Sequence, residues 1–253
     1  MTQPAYVLQT DMLCKRFHDF RAANNVCLNL KAGARHAVIG PNGAGKTTLV
    51  NLLTGQLAPT AGRVLLHGQD ITATSPDERV RRGLVRTFQI NQLLRRLSPL
   101  ENVQMAVLER QGLGGSLLRR SGAQRQAAQE AFALLDSLNL GGDALKTVSE
   151  LPYGKQRIVE IAIALALRPT VLLLDEPAAG VPPADSHRVL DLIDGLPVDM
   201  AVLIIEHDMG LVFRFARSVT VLVQGEVFLD DEASVIRNHE GVRQVYLGGA
   251  AHG

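Results

Sequence analysis

A glycine-rich segment at residues 40–48 limits what this chain can fold into more than any other feature. The segment has the sequence GPNGAGKTT, and the apolar run Ala37-Val38-Ile39 before it is typical of a buried strand. Residues 49–54 after it have the apolar spacing of a helix, and Gly55 follows at a position where helices commonly end. The glycines permit tight backbone turns that other residues adopt poorly. The sequence therefore predicts a strand, a tight loop and a helix in direct succession.

This succession is the context in which the pattern G-x-x-x-x-G-K-[ST] forms a phosphate-binding loop. The backbone N–H groups of such a loop converge on phosphate oxygens at a helix end that already favours anions. Lys46 is expected to supply charge to the β- and γ-phosphates, and the Thr47 hydroxyl is a suitable ligand for Mg²⁺. A chance glycine turn is the alternative, but the four matched positions and their context favour a site for a nucleoside triphosphate. The predicted binding residues are Gly40, Pro41, Asn42, Gly43, Ala44, Gly45, Lys46, Thr47 and Thr48.

Length and composition allow one large α/β domain, or such a core with a modest subdomain. The chain has 253 residues, of which 46% are hydrophobic, and its 26 Lys and Arg nearly balance its 25 Asp and Glu. This balance indicates no global attraction to nucleic acid or acidic lipid. The chain begins without the pattern of a signal peptide, and no apolar run approaches the roughly 20 residues that span a bilayer. We expect a soluble, cytoplasmic chain whose membrane role, if any, comes through a partner.

The two cysteines, Cys14 and Cys27, fit neither the spacing of metal ligands nor that of a redox pair. We expect small core residues in a reducing compartment.

The order of predicted elements indicates an α/β core with a helical insertion. Residues 6–30 predict two antiparallel strands with turn signals at 18–19 and 24–25, and further strands are predicted at 62–68 and 84–89. Between about 90 and 150 helical signals replace strand signals. The arginines of this insertion are not interleaved with aromatic residues, which favours a solvated or partner-facing surface over a nucleic-acid face. Strands and helices alternate again from about Thr170.

Polar side chains at the ends of predicted strands are candidates for chemistry on the triphosphate. Asp175 and Glu176 follow the buried run Val171–Leu174, where Asp175 can hold a metal-bound water and Glu176 can orient or deprotonate an attacking water. A capping pair at the strand exit is the alternative. His207 ends another apolar strand and can donate to a γ-phosphate oxygen, although a lone histidine is more often structural.

Two further candidates, Gln89 and Phe17, are less specific. Gln89, at a strand exit, can contact a metal and a water together, or it is an ordinary loop glutamine. Phe17 lies 29 positions before Lys46 and either stacks on a purine ring or is a half-buried strand residue, and spacing does not separate the two.

The segment Leu151–Arg157, with the sequence LPYGKQR, resembles the signature motif of ABC-type ATPases. The other candidates stand in that family's order: the phosphate loop, Gln89 as the Q-loop, Val171–Asp175 as Walker B followed by Glu176, His207 as the H-loop and Phe17 as the aromatic A-loop. The resemblance implies an α/β fold, a P-loop NTPase core of the ABC ATPase type with an N-terminal antiparallel β subdomain and an inserted helical subdomain. It implies a single domain over 1–253, divided into 1–89, 90–168 and 169–253.

Shorter segments narrow the resemblance to the ATP-binding subunit of bacterial branched-chain amino acid importers. These segments are Tyr153 within the signature, DEPAAG at 175–180, IEHDM at 205–209 and VYLG at 245–248. Such importers work at the cytoplasmic face of the inner membrane, with two integral-membrane permease subunits, a second ABC ATPase subunit and a periplasmic solute-binding protein. Importers of urea, amides and other small solutes share much of this pattern. A soluble ABC ATPase acting on ribosomes or DNA is the alternative from another class, but it usually carries two ATPase domains or a long coiled-coil insertion.

The resemblance also implies roles for individual residues. Two subunits would enclose two ATP molecules head to tail, with catalysis by Lys46, Glu176, Gln89 and His207 and with Mg²⁺ held by Thr47, Gln89 and Asp175. The signature residues that would act on the partner's nucleotide are Leu151, Pro152, Tyr153, Gly154, Lys155 and Gln156. Two positions depart from the family pattern: Pro152 replaces the signature serine, and Pro182 replaces the D-loop aspartate. By the same resemblance, the neighbourhood of Leu93, Leu94 and Leu97 forms the groove that receives a permease helix. The alternative for each of these leucines is packing in the core of the helical subdomain.

Overall fold

The computed structural model describes residues 6–87, 93–113, 121–181 and 183–248. The chain divides into two compact units. The first comprises Met1–Arg86, Thr170–Glu176 and Pro197–Gly253, and the second comprises Thr87–Pro169 and Pro177–Leu196. The three-part division of the sequence at residues 89 and 168 stays a prediction.

The first unit contains all the described strands and five helices, which confirms the predicted α/β class. In chain order its elements are β1 (Tyr6–Phe17), β2 (Phe20–Val26), β3 (Asn29–Lys31), β4 (Arg35–Ile39), α1 (Lys46–Thr54), β5 (Ala61–Leu66), β6 (Gln69–Asp70), α2 (Pro76–Arg81), β7 (Leu84–Arg86), β8 (Val171–Asp175), β9 (Ala201–Ile205), α7 (Met209–Phe215), β10 (Ser218–Val223), β11 (Glu226–Glu232), α8 (Ala233–Asn238) and α9 (Glu240–Gly248).

The second unit is helical over the residues that the structure describes. It contains α3 (Pro99–Arg110), α4 (Ser121–Ser137), α5 (Tyr153–Ala166) and α6 (Pro183–Asp194), with two 3-10 turns at Gly141–Asp143 and Val148–Glu150. Helix α3 begins with a capping box, in which the Ser98 hydroxyl accepts from the Glu101 N–H and the Glu101 carboxylate accepts from the Ser98 N–H. Within this unit α3 packs against α4 and α5. No described helix of the chain is both long and apolar enough to cross a membrane.

An antiparallel sheet in the first unit has the order β2-β1-β5-β6, with β3 also paired to β1. The sequence predicted two strands before β4, the strand that leads into the phosphate loop, and the structure has three. Strand β1 is long enough to pair with β3 near its start, through Tyr6↔Lys31, and with β2 near its end, through Leu13↔Val26. The predicted turn at 24–25 was wrong, because these residues lie inside β2, where Asn25 takes a φ of 50°.

The second sheet of this unit has the order β11-β10-β4-β9-β8-β7. Its strands are parallel except for β11, which runs antiparallel to β10. Strands β4, β8 and β9 are buried along their whole length, which explains their continuous apolar sequences. The register pairs Ile205 with both Val38 and Asp175. The strands that precede the glycine loop, Glu176 and His207 therefore all end at one edge of this sheet.

The core of the first unit contains apolar side chains of both sheets and of α1. Leu49, Val50, Leu52 and Leu53 of α1 are all buried in it. The helix is therefore held by packing as well as by its own hydrogen bonds, and its first turn lies at the glycine loop.

The cysteines are unpaired, and Cys27 is exposed while Cys14 is partly buried. The expectation that Cys27 is a core residue was wrong. It directly follows Val26, whose buried side chain takes the inward-facing position on the antiparallel sheet.

Candidate functional site

The glycine loop places uncapped backbone N–H groups at the start of α1. Gly45, at the N-cap of α1, has a φ of 98° and makes no side-chain capping bond. A Cβ at Gly45 would lie 2.4 Å from the Ala22 carbonyl oxygen, so the close approach of β2 also requires glycine there. The backbone N–H of Gly225, in the β10–β11 turn, donates to the Ala44 carbonyl at 3.0 Å and fixes the loop from its other side. The arrangement can accept an anion at the N-terminus of α1.

Lys46 extends its ammonium group back along the loop. Its Nζ donates to the carbonyl oxygens of Gly40 at 2.6 Å and Pro41 at 3.0 Å. Burial lowers the pKa of Lys46, and the nearby carboxylates of Glu176 and Asp175 partly oppose this shift. The structure thus brings together the lysine and the two carboxylates that the sequence proposed as one site, although about 130 residues separate them in the chain.

Asp175 ends β8 in a buried position and is held by an arginine. The Arg86 guanidinium, at the end of β7, lies 2.6 Å from Asp175 Oδ2, and both side chains are at least nine-tenths buried. The Asp175 carboxylate and the Thr47 hydroxyl offer hard oxygen ligands for a metal ion. The described residues contain no cluster of three or more His, Cys, Asp or Glu that could bind a metal by itself. A single carboxylate plus a hydroxyl instead fits Mg²⁺, which commonly takes its other ligands from phosphates and water.

Glu176 directly follows β8 in an uncommon backbone conformation. Its φ is 46°, and its N–H donates to the Ile205 carbonyl at the end of β9 at 2.9 Å. This bond fixes the backbone turn at the exit of β8. A non-glycine residue in the left-handed region is a local strain that surrounding contacts must maintain.

His207 lies beside two carboxylates at the same sheet edge. Its Nδ1 is 3.7 Å from Glu176 Oε1 and 3.9 Å from Glu206 Oε2. Glu206 is buried and accepts a hydrogen bond from the His207 backbone N–H at 3.1 Å, which holds the chain as it leaves β9. The His207 side chain is 66% exposed, so it is not a core histidine and can reach a ligand at this edge.

Two candidates for the chain's own nucleotide site remain: Phe17, which the structure describes, and Gln89, which it does not. Phe17 ends β1 with 44% exposure, and the Lys15 ammonium lies 5.2 Å from its ring centroid. An accessible aromatic face is what stacking on a purine requires. Gln89 and Pro182 lie outside the described residues.

The signature segment forms the start of α5 in the second unit. Pro152 is the N-cap of α5 and makes no side-chain capping bond, so the missing serine hydroxyl is not replaced there. Its carbonyl accepts from the N–H groups of Lys155 at 2.9 Å and Gln156 at 3.1 Å. The Lys155 ammonium pairs with Asp143, and the Gln156 side chain is buried and donates to the Leu151 carbonyl at 2.8 Å. Leu151 and Gly154 are buried, whereas Pro152 and Tyr153 are exposed.

Three residues near these groups were not singled out from the sequence. Arg86 contacts Asp175, and Glu206 contacts the backbone of His207. Tyr246 of α9 is the third: burial raises its pKa to about 12, and the backbone of Gly40 opposes that shift. The contact of Glu206 is local, because this residue directly precedes His207. The positions of Arg86 and Tyr246 depend on which strands and helices become neighbours, and no local pattern indicates them. An arginine three residues before a candidate metal residue was the only available signal.

Comparison with known proteins decides the family. The family model described as "ABC transporter" matches residues 23–179, which is more than half of the chain. The chain belongs to the ABC transporter family.

Individual members of this family resemble the chain over nearly its full length. It is 38% identical to the high-affinity branched-chain amino acid transport ATP-binding protein LivG of Escherichia coli, over 99% of this chain and 100% of that one. The crystal structure of the ADP conformation of an ATP-binding cassette of an ABC transporter superposes with a TM-score of 0.85 at 30% identity, covering 96% of this chain and 99% of that one. A dimeric post-hydrolysis cassette bound to ADP and Pi has a TM-score of 0.74 at 25% identity, covering 89% and 98%.

These likenesses confirm two expectations. The fold is that of an ABC ATPase, and the chain is the ATP-binding cassette of such a transporter. It is an ATPase of this family, with the glycine loop, the two carboxylates and His207 at one edge of the parallel sheet.

Proposed function

We propose that this cassette hydrolyses ATP to energise the import of branched-chain or other hydrophobic amino acids across the inner membrane. The observation that carries the chemistry is the convergence of Lys46, Asp175 and Glu176, with His207 beside Glu176. The full-length likeness to an ATP-binding protein of branched-chain amino acid transport supports the solute class. Importers of urea, amides or another small solute are the nearest alternative, followed by a soluble ABC ATPase with no transport role.

In the proposed reaction, the chain's groups bind and orient a triphosphate. The loop N–H groups hold the phosphates, and Lys46 turns from the Gly40 and Pro41 carbonyls to neutralise charge on the β- and γ-phosphates. Phe17 stacks on the purine. Thr47, Asp175 and Gln89 would hold Mg²⁺, which supplies charge neutralisation across the phosphate oxygens.

Water is activated at the exit of β8. The Glu176 carboxylate accepts a proton from the attacking water, or a hydrogen bond that orients it. His207 donates to a γ-phosphate oxygen and lies close enough to Glu176 for the two side chains to constrain each other. The α5 N-terminus of a second ABC ATPase subunit, including its signature residues from Leu151 to Gln156, would complete the site across a head-to-tail dimer, as dimeric cassettes of known structure suggest.

The proposed partners follow from this assignment. They are a second ABC ATPase subunit, two integral-membrane permease subunits and, indirectly, a periplasmic solute-binding protein, with the cassette at the cytoplasmic face of the inner membrane. Nucleic acid is not among them. The nearly balanced charge of the chain is consistent with that choice.

Two substitutions test the chemistry, because one should affect ATP hydrolysis and the other ATP binding. Glu176→Gln should keep ATP binding while lowering hydrolysis by about 10²-fold or more, because the amide cannot accept the proton of water. Lys46→Ala should lower ATP affinity itself by roughly tenfold or more, because it removes a charged donor to the phosphates. Calorimetry measures the affinity for ATP, and phosphate release in the presence of the assembled partners measures the rate of hydrolysis. Near-normal turnover in the first variant, or unchanged ATP affinity in the second, contradicts the assigned role.

The solute is tested separately from the chemistry. Uptake of radiolabelled leucine by cells that carry the complete transporter should be lost with Glu176→Gln and should be competed by isoleucine and valine. No uptake of leucine, together with uptake of radiolabelled urea or a short amide that is lost with Glu176→Gln, would keep the ATPase assignment and replace the solute.

A further inference from the structure

Arg86 connects the candidate metal carboxylate to the phosphate-loop helix. Its Nη2 lies 2.6 Å from Asp175 Oδ2, and its Nη1 donates to the Asn51 side-chain oxygen at 2.7 Å. Asn51 belongs to α1, the helix that begins at Lys46. A third contact reaches the Gln56 side-chain oxygen at 3.3 Å. One planar guanidinium thus holds groups from β8, α1 and the segment after α1.

Burial restricts the orientations that the Arg86 and Asp175 side chains can adopt. The Arg86 and Asp175 side chains are 9% and 5% exposed. A guanidinium presents its donors in a rigid fork, so two bonds from different nitrogens define the relative positions of their acceptors. With Oδ2 of Asp175 committed to Arg86, the carboxylate cannot rotate without breaking a buried charge pair, which is costly.

We propose that Arg86 is a positioning residue for the metal–nucleotide complex, holding the Asp175 carboxylate at a set distance from the phosphate loop. This inference rests on the proposed role of Asp175. Arg86 is not placed in contact with substrate or metal and acts through Asp175 and Asn51. Residues that orient a metal ligand in this way typically change metal affinity 10- to 100-fold when they are replaced.

The test separates metal binding from nucleotide binding in the full-length chain. ADP affinity is measured by calorimetry in EDTA, and Mn²⁺ affinity is measured by electron paramagnetic resonance in saturating ADP. Arg86→Met should weaken Mn²⁺ binding by roughly tenfold or more and leave ADP affinity in EDTA within about twofold. Arg86→Lys should weaken Mn²⁺ binding in the same direction, because one ammonium keeps the charge but cannot reproduce the fork between Asn51 and Asp175.

Two further variants sharpen the result. Asn51→Ala keeps the Arg86–Asp175 pair and removes its tie to α1, so it should also weaken Mn²⁺ binding, by less than Arg86→Met. Arg82→Met is the matched control, because Arg82 lies four residues before Arg86 and forms a surface ion pair with Glu78. This variant should leave Mn²⁺ affinity unchanged. Should Arg86→Met not fold, Arg86→Lys and Asn51→Ala decide the matter.

Wild-type Mn²⁺ affinity in folded Arg86→Lys and Asn51→Ala would overturn the inference. Equal losses of ADP affinity with and without metal would also overturn it, because they would show general damage to the loop. Asp175→Asn distinguishes the two proposals. If it loses Mn²⁺ affinity while the Arg86 variants do not, the metal role of Asp175 stands and the positioning role fails. If Asp175→Asn keeps Mn²⁺ affinity, both fail.

Discussion

His36, in the strand that leads into the phosphate loop, shows how a single buried residue depends on its partners. Its Nδ1 and Nε2 each lie 2.7 Å from a hydroxyl, of Ser218 and Thr220 respectively. The Thr220 hydroxyl donates to Asp230 at 2.8 Å, so it must accept from Nε2–H. In the neutral imidazole, Nδ1 then accepts from the Ser218 hydroxyl. The network therefore places a proton on Nε2 of the buried His36 ring.

This network predicts a loss of stability in mild acid. Burial lowers the pKa of His36 below its usual 6.5, while Asp230 partly opposes the shift. Below pH 6.5 the unfolded chain therefore binds a proton that the folded chain resists, so the free energy of unfolding falls as the pH decreases, by at most about 1.4 kcal/mol per pH unit from this group. Urea unfolding at pH 7.5 and 5.5 measures this fall in the free energy of unfolding.

The His36→Gln variant provides the comparison. It should be less stable than the wild type at pH 7.5, because the hydroxyl partners are only partly satisfied, but it should lose less stability between pH 7.5 and 5.5. An identical pH slope in the two proteins would show that other groups cause the acid sensitivity.

At the scale of an element, α1 is stabilised at its C-terminal end by a buried cation. Arg79 of α2 donates through Nη1 to the carbonyl oxygens of Leu52 at 2.8 Å and Leu53 at 2.6 Å, and through Nη2 to Thr72 at 2.8 Å. A positive charge at this end favours the helix dipole, whose other end lies at the phosphate loop. Burial lowers the pKa of Arg79, and Asp70 partly opposes the shift.

Removing this cation should destabilise the protein strongly. Arg79→Met leaves buried carbonyl groups without their donor, and we expect a loss of about 2–4 kcal/mol in the free energy of unfolding. Arg82→Met, one residue beyond α2 and in a surface pair with Glu78, should change it by less than about 1 kcal/mol. Chemical denaturation of the two variants compares them directly, and similar midpoints would refute the capping role of Arg79.

At the scale of the whole molecule, the transporter proposal needs a surface that binds a permease. Within 93–97 of the second unit, Leu93 is 7% exposed and Leu94 is 47% exposed. Leu93 is therefore packed into the unit itself, whereas Leu94 can serve as an anchor for an amphipathic helix of a permease subunit. The sequence had left this choice open for each leucine.

Leu94→Asp should abolish co-purification with the permease subunits and solute uptake while ATP binding and the unfolding midpoint stay close to the wild type. A central apolar anchor typically contributes roughly 1–2 kcal/mol or more to such an interface. Val198→Asp, at a position of the first unit that is 90% exposed, is the control for a new surface charge and should transport normally. Normal uptake by the Leu94 variant would move the docking surface elsewhere.

The sequence by itself determined the family, the α/β class and the elements that carry the motifs. These depend on local backbone chemistry: glycines that permit the turns of the phosphate loop, the Ser98 and Glu101 capping box that begins α3, and the apolar run of β8 that needs burial on both faces. Each is specified by a few neighbouring residues, so each is visible in the printed chain.

Only the tertiary structure decided which distant groups meet. Arg86 and Asp175 are 89 residues apart and become partners because β7 lies next to β8 in the sheet, an order that hydrophobic periodicity does not contain. For the same reason the sequence did not reveal that β3 pairs with β1, that Arg79 is buried at the C-terminal end of α1, or that Cys27 is exposed. Local patterns specify which face of an element is apolar, but long-range packing selects what covers it.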